Sequence, residues 1–402
     1  MKVDGLLSGI RVLDVTTVLA GPFAGYQLSL FGADVVKVEM PGEGDVARTM
    51  GDHGGFAALG MGAPFLGQNA GKRSITINLK NDAGREVFAR LARDADVLLE
   101  NMRPGVMDRL GVGYEAMKSL NPRLVYCAVS GFGDSGPLSS RPAYDQIIQG
   151  LSGMSDVTGR PDQDPTRIGF PICDTFSGLA AAMAICAALV RRSHSGAGAY
   201  LDVSMLEAGI TAMGSATSDH LVSGAPAERI GNDNTASSPS GSFHTGEGLL
   251  VIAANTQRQF ESLCRVIGRT DLIDDVRFID RKHRKRHRAE LSRELESALA
   301  TRSASEWESR LVEVHVPAGR VLSVAEALVQ PQVVVRGLIH DVAIEGSGAR
   351  PGRVLGSGVH VDGHALAPSS PPPRLGQHTR DVLLETGYSN DEVDQLETVG
   401  AL

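Results

Sequence analysis

The chain of 402 residues is 42% hydrophobic and 21% charged, with a formal net charge of −8. This is the composition of a soluble globular protein long enough for two or three cores, and it excludes a disordered chain. The negative balance argues against nonspecific nucleic-acid binding over the whole surface.

Met1 is not followed by a basic region and an apolar core, and the apolar run from Leu179 is closed by Arg191 and Arg192. A cytoplasmic protein with no membrane partner is therefore expected. Ile10–Thr16 (IRVLDVT) reads as a short apolar strand, AGPFAGYQLSLFGA as a helix ending in glycine, and Asp34–Glu39 (DVVKVE) as a second strand. Strand Ser74–Leu79, helix Asn81–Asp94, and strands Ala95–Asn101 and Leu124–Gly133 continue the alternation. Strands separated by helices predict βαβ units and an α/β fold, a parallel Rossmann-like sheet covered on both faces. Ligands collect at the carboxyl ends of such strands, which singles out Thr17, Glu39, Lys80, Asn101 with Arg103, and Ser130. The first turn reads TTVLAGPFAG and lacks the GxGxxG glycines, so no nicotinamide site is expected. Lys72, Arg73 and Lys80 form a basic cluster that suits phosphate, although charge alone fits a solvated strand edge equally well.

From Arg167 to Arg192 the chain reads RIGFPICDTFSGLAAAMAICAALVRR. Its residues from Ser177 to Val190 are nearly all small or apolar, which predicts a helix buried on every face. Asp174 stands at the start of that helix, near the positive end of its dipole. Two readings stand. Asp174 is an N-cap accepting backbone N–H bonds, or it is a carboxylate held ionised for chemistry, with Gly169 and Gly178 keeping space clear for a ligand.

Ala199–Met213 reads as a strand running into a helix, and SGAPAERIGNDNTASSPSGSF as a linker or active-site loop. The expected domains are residues 1–220 (the large domain), 221–241 (linker and loop), 242–324 (a smaller α+β domain) and 325–402 (a return segment with antiparallel strands and a last helix). The basic run from Arg281 to Arg288 has acidic neighbours and no interleaved aromatics, so a solvated helix face is favoured over a nucleic-acid patch. His283 and His287 are spaced i, i+4 without a nearby carboxylate ligand, so no metal site is expected. Neither HExxH nor GxSxG occurs, and Cys127, Cys173, Cys186 and Cys264 show no CxxC pairing. They read as reduced core residues.

Taken in order, RVLDVTTVLAGPFAG, LFGADVVKVEMPGEGD, GKRSITINLK, ENMRPGVMDRLGVGY, NPRLVYCAVSGFGDSGP, YDQIIQGLSGM, TGRPDQDPTRIGFPICD and RLGQHT resemble the family III CoA-transferases. That family includes formyl-CoA transferase, carnitine and dicarboxylate CoA-transferases, and 2-methylacyl-CoA racemase. The resemblance implies that Asp174 is the nucleophile that becomes acylated. It implies coenzyme A contacts at Val18, Leu19 and Ala20, at Ile77 through Lys80, at Asn101 and Met102, and at Arg109, Arg141 and Tyr144. Some members stack an arginine on adenine where this chain has Met40. It also implies a homodimer of interlocked ring-shaped subunits.

The implied reaction needs no permanently bound cofactor. A carboxylate attacks the donor thioester and holds the acyl group as a mixed anhydride. CoA thiolate returns to give an enzyme thioester, and a free carboxylic acid then takes over the CoA. Backbone N–H groups at the start of the Asp174 helix or in the 235–238 loop are the expected oxyanion donors, and the segment Thr235–Gly241 is the expected lid against water. The most similar members suggest succinyl-CoA as donor and a short dicarboxylate as acceptor, whose distal carboxylate Ser237, Ser238 and Arg73 would hold. The racemase branch carries His-Asp where this chain has Tyr144 and Asp145. An unperturbed tyrosine is a poor base near neutral pH, so transfer is favoured. A noncatalytic CoA-binding protein would lack the aspartate.

Overall fold

Alternating β-branched runs and helices in the first half of the chain become a six-stranded, wholly parallel sheet in the computed structural model, which describes residues 5–51, 54–234, 236–348 and 350–402. Its strands are β1 (Arg11–Asp14), β2 (Asp34–Glu39), β3 (Arg73–Thr76), β4 (Val97–Glu100), β5 (Val125–Ser130) and β6 (Ala199–Ser204), in the order β3-β2-β1-β4-β5-β6. Val12 pairs with Val35 on one side and Val97 on the other. Chain direction across the sheet therefore reverses between β1 and β4, leaving a crevice at their carboxyl ends.

Three helices bound that crevice: α1 (Ala20–Leu30), α2 (Asp145–Leu151) and α3 (Ile172–Ser195). Nearly every residue of α1 is buried. It crosses α3 at Gly178, where a Cβ would lie 2.6 Å from the Ala20 carbonyl and 3.1 Å from Phe23. That glycine serves helix packing and clears no space for a ligand, whereas Gly169 has nothing within 4 Å of its Cβ position. α3 is long and apolar enough to cross a membrane by length and composition alone. Here one face, with Ala181, Ile185 and Ala188, packs into the core, while Leu179, Met183 and Val190 are 45%, 70% and 63% exposed. The expectation of a helix buried on all sides is thus corrected, because α1, the helix Met205–Ala212 and the sheet together leave the Leu179, Met183 and Val190 stripe uncovered.

The chain divides into two units, Met1–Met154 with Arg167–Gly224 and Pro331–Leu402, and Ser155–Thr166 with Ala225–Gln330. Ser155–Thr166 groups with the second unit because Arg229 donates to the Asp156 carbonyl at 2.9 Å and Gly231 N donates to the Gly159 carbonyl at 2.9 Å. In the first unit the C-terminal segment covers the edge strand β3: Thr76 N donates to Thr379 Oγ1 at 3.0 Å, and His378 N to the Ser74 carbonyl at 2.9 Å. Two short helices follow, Thr379–Glu385 and Asn390–Thr398, where one was expected. The second unit holds the antiparallel strands β7 (Ser240–His244), β8 (Leu249–Ala253) and β9 (Ala318–Arg320), with α4 (Gln257–Val266), α5 (Arg281–Arg286) and α6 (Arg288–Leu299). Its core is separate and gathers Phe243, Ile252, Phe260, Leu295 and Trp307.

Candidate active site

The turn from β1 into α1 is fixed by side chains acting on its backbone. Thr16 N donates to Asp14 Oδ1 at 3.0 Å, and Lys37 Nζ donates to the Thr16 carbonyl at 2.7 Å. Asn101 accepts from Thr17 N at 2.9 Å and donates to the Thr17 carbonyl at 2.8 Å. Asp45 Oδ1 accepts from Val18 N at 3.1 Å. Together these bonds hold Val18 at φ 69°, a left-handed conformation that a β-branched residue resists. The charges beneath are fully buried and paired, Lys72 with Asp14 at 2.7 Å and Lys37 with Asp45 at 2.9 Å. Burial opposes the charge on Asp14, but Lys72 and then Lys37 outweigh it and hold the carboxyl below its usual range.

This arrangement corrects the expected phosphate cluster. Lys72 is spent on Asp14, and Arg73 on Asp34 at 2.6 Å and Glu385 at 2.8 Å. Lys80 alone of the three is exposed. Arg73 is likewise not free to hold an acceptor acid. Glu39, at the end of β2, is buried against Arg48 at 2.7 Å.

Asp174 is the third residue of α3 and does not cap it; Pro171 occupies the cap position. Asp145, at the start of α2, performs that task from another helix. Its Oδ1 accepts from Cys173 N at 2.7 Å and from Asp174 N at 3.2 Å, while its Oδ2 accepts from Gln149 Nε2 at 2.6 Å. The Asp174 carboxylate is thereby left for other work, and the first amides of α3 are not available as oxyanion donors. Burial, and then the neighbouring Asp145, push the Asp174 carboxyl up to about 7. The expectation of a group simply held ionised is reversed, although the positive helix end pulls the other way.

Asp174 opens into a cavity of about 320 Å³ in the crevice between β1 and β4. Of the residues singled out from the sequence, Val18, Leu19, Ala20, Asn101, Met102, Arg141, Tyr144 and Asp174 line it together. Ile77 is 2% exposed within the sheet core, and Lys80 and Arg109 lie on the surface outside the lining. Arg103, Ser130, Ser139 and Met205 also line the cavity. Of these, Arg103 and Ser130 were legible as polar groups at strand ends, whereas Ser139 and Met205 carried no signal. A neighbouring cavity of about 210 Å³ is lined by Glu100, Asp108, Asp134 and Asp202 with three tyrosines.

In the second unit, Ser237 and Ser238 are each 3% exposed. The Ser237 hydroxyl already donates to Asn255 Oδ1, so neither serine displays its hydroxyl to a substrate acid in this chain. Thr235, the first residue of the expected lid, lies outside the described residues. His283 and His287 face Asp280 and Glu290, and among the described residues no group of three His, Cys, Asp or Glu side chains is arranged to hold a metal. The four cysteines are free thiols.

Residues 7–379 match the model of CoA-transferase family III. The chain is 36% identical over 382 residues to a succinate–glutarate CoA-transferase of Agrobacterium fabrum, covering 94% of this chain and 95% of that one. It is 40% identical over 339 residues to an acetyl-CoA:oxalate CoA-transferase of Acetobacter aceti, covering 84% and 86%. A crystal structure of a CAIB/BAIF family protein from Brucella suis superposes with a TM-score of 0.85 at 34% identity, covering 96% of this chain and 100% of the other. With its parallel sheet, crevice and carboxylate, the chain belongs to CoA-transferase family III and is an enzyme that transfers coenzyme A from an acyl-CoA to a carboxylate acceptor.

Proposed function

We propose that Asp174 attacks the carbonyl carbon of a bound acyl-CoA, forming an aspartyl mixed anhydride and releasing CoA thiolate. The thiolate then attacks the aspartyl carbonyl, freeing the donor acid and leaving an Asp174–CoA thioester. The acceptor carboxylate attacks that thioester in turn, and the returning thiolate takes the acyl group from the second anhydride. Each step exchanges one acyl bond for another of similar energy, so no resident cofactor or metal is required. The observation that carries this reading is that Asp145 caps α3 and leaves the Asp174 carboxylate uncommitted at the cavity wall.

The same wall suits a thioester. α1 begins without a capping side chain, and its open N–H groups beside Leu19 and Ala20 supply positive potential for the tetrahedral oxyanion. Val18, Leu19, Ala20, Asn101, Met102 and Tyr144 offer a largely neutral surface for the pantetheine arm, while Arg141 and Arg103 favour anions. Lys80 and Arg109, both exposed, are assigned to the CoA phosphates, and Ile77 to the support of Lys80. Succinyl-CoA as donor and a short dicarboxylate as acceptor follow the relatives' activities. The uncovered apolar stripe of α3, Leu179, Met183 and Val190, supports a homodimer, interlocked as the family resemblance implies. A cytoplasmic location completes the reading.

The test is to incubate the enzyme with succinyl-CoA and hydroxylamine and to locate the hydroxamate by peptide mass spectrometry. Modification of Asp174 is expected, and none in Asp174→Asn. Full exchange by Asp174→Asn, or an adduct elsewhere, would overturn the mechanism.

A further inference from the structure

Asp145 and Gln149 lie one turn apart on α2 and together bind the chain that leads into α3. Gln149 is fully buried, and its Oε1 accepts from Ile168 N at 2.8 Å. Its Nε2 donates to the Phe170 carbonyl at 3.2 Å and to Asp145 Oδ2 at 2.6 Å, which uses both amide hydrogens. Asp145, 8% exposed, accepts on its other oxygen from Cys173 N at 2.7 Å and from Asp174 N at 3.2 Å. Two side chains thus fix the path of residues 168–174 through buried bonds that are costly to leave unmade.

Asp145 does not line the Asp174 cavity, so it acts through Asp174 and not on the substrate. The titratable groups around Asp174 are Asp145 from α2, Cys173 beside it in α3, and Tyr144, Arg103 and Arg141 on the cavity wall. α1, β5, β6 and the helix Met205–Ala212 bring no titratable side chain to that cavity. Among the described residues, no ion pair joins either arginine to Asp174 or Asp145.

We infer that Asp145, clamped by Gln149, is a positioning residue that both aims Asp174 and favours its acylation by opposing its charge. This role rests on the mechanism proposed above and deepens it. When an Asp174 oxygen bonds to the thioester carbon and the C–S bond breaks, the electron pair leaves on the CoA thiolate. When that thiolate attacks the aspartyl carbonyl, the donor acid departs as a carboxylate. The Asp174–CoA thioester that remains is neutral, and the negative charge has left with the donor acid. Repulsion by Asp145 is therefore present in the free enzyme and relieved in the thioester. Protonation of Asp174 removes the same charge, and burial together with Asp145 raises that carboxyl to about 7. The part of that shift due to Asp145 should equal the bias it gives to acylation.

Asp145→Asn is the first test, since an asparagine oxygen can still cap α3 but carries no charge. Parent and variant are equilibrated at pH 8 with succinyl-CoA and succinate in a fixed ratio, and the enzyme–CoA thioester is counted by intact-protein mass spectrometry. The ratio of thioester to free enzyme is expected to fall about tenfold, and the acid limb of kcat/KM for succinyl-CoA to move down from near 7 by about one pH unit. A general loss of structure would lower kcat without moving that limb. Asp145→Ser, a shorter uncharged cap, serves if the asparagine variant does not fold. The new asparagine amide also meets the Gln149 amide, and Gln149→Met measures that loosening separately. It keeps the charge and removes the clamp, so hydrogen exchange of residues 168–174 should quicken and kcat fall about tenfold while the limb stays near 7. An unmoved limb in Asp145→Asn would overturn the electrostatic role, and a moved limb with an unchanged thioester ratio the link to acylation. Unchanged exchange in Gln149→Met would overturn the clamp. No thioester in the parent enzyme would overturn the mechanism itself, whereas a parent thioester that Asp145→Asn leaves unaltered would overturn the role of Asp145 alone.

Discussion

Below β1 and β2, Asp14 faces Lys72 and Asp45 faces Lys37, each carboxylate buried against an ammonium. At the start of α3, Asp174 lies beside another carboxylate, Asp145, and no cation is within ion-pair distance of either among the described residues. The first group is compensated and holds the Val18 turn in a conformation the local sequence disfavours. The second is left uncompensated, and its carboxyl is raised towards neutrality. The contrast separates charge used for shape from charge kept for reaction. A paired carboxylate is stable and inert, whereas one denied a partner in a partly buried site is basic enough to attack a thioester at neutral pH.

Removing the reactive charge should have the largest effect. Asp174→Asn, nearly isosteric, is expected to lower CoA exchange between succinyl-CoA and glutarate by about a thousandfold or more, with CoA binding retained in calorimetry. Breaking a structural pair acts on stability. Lys72→Met leaves Asp14 buried without its closest partner and should cost about 3–5 kcal/mol in urea unfolding, part of which the double variant with Asp14→Asn recovers. Transfer should depend on ionised Asp174, so kcat/KM for succinyl-CoA is expected to fall about tenfold per pH unit below the free-enzyme value near 7. A limb near 4 would place Asp174 with the ordinary carboxylates.

The smallest effect sharpens the contrast from the other side. Because folding raises the Asp174 pKa, the fold favours its protonated form. Stability then declines as pH rises from the ordinary carboxylate range towards 7, and the cost is complete above it. Asp174→Asn should therefore be more stable than the parent by about 1 kcal/mol at pH 8, after allowance for partial exposure, and equal to it near pH 4. A destabilised Asn variant at pH 8 would contradict the picture of an unrelieved charge.

Much of this arrangement is legible in contiguous residues. β-branched runs alternate with helices, so β2 falls at its expected bounds. Asp174 stands out at the junction between a proline and an apolar helix, and family motifs point to the turn at Val18. The cap on α3 is not legible, because Asp145 lies 28 positions earlier and its bonds to Cys173 N and Asp174 N exist only once α2 packs beside α3. The basic run is likewise ambiguous as composition. Which of its arginines are solvated and which grip a backbone depends on Asn234, Ala236, Ser237 and Ser238, which lie 45 to 54 positions away.

By itself, then, the amino-acid order determined the elements, the parallel sheet and the family, since periodicity, turn chemistry and motif spacing are properties of neighbouring residues. Tertiary structure alone decided which charges would be neutralised. Lys72 meets Asp14 across 58 positions, and Asp174 is left with Asp145. The energy of a charge depends on its burial and on whatever packing brings within a few ångströms, and neither is a property of the segment that carries it.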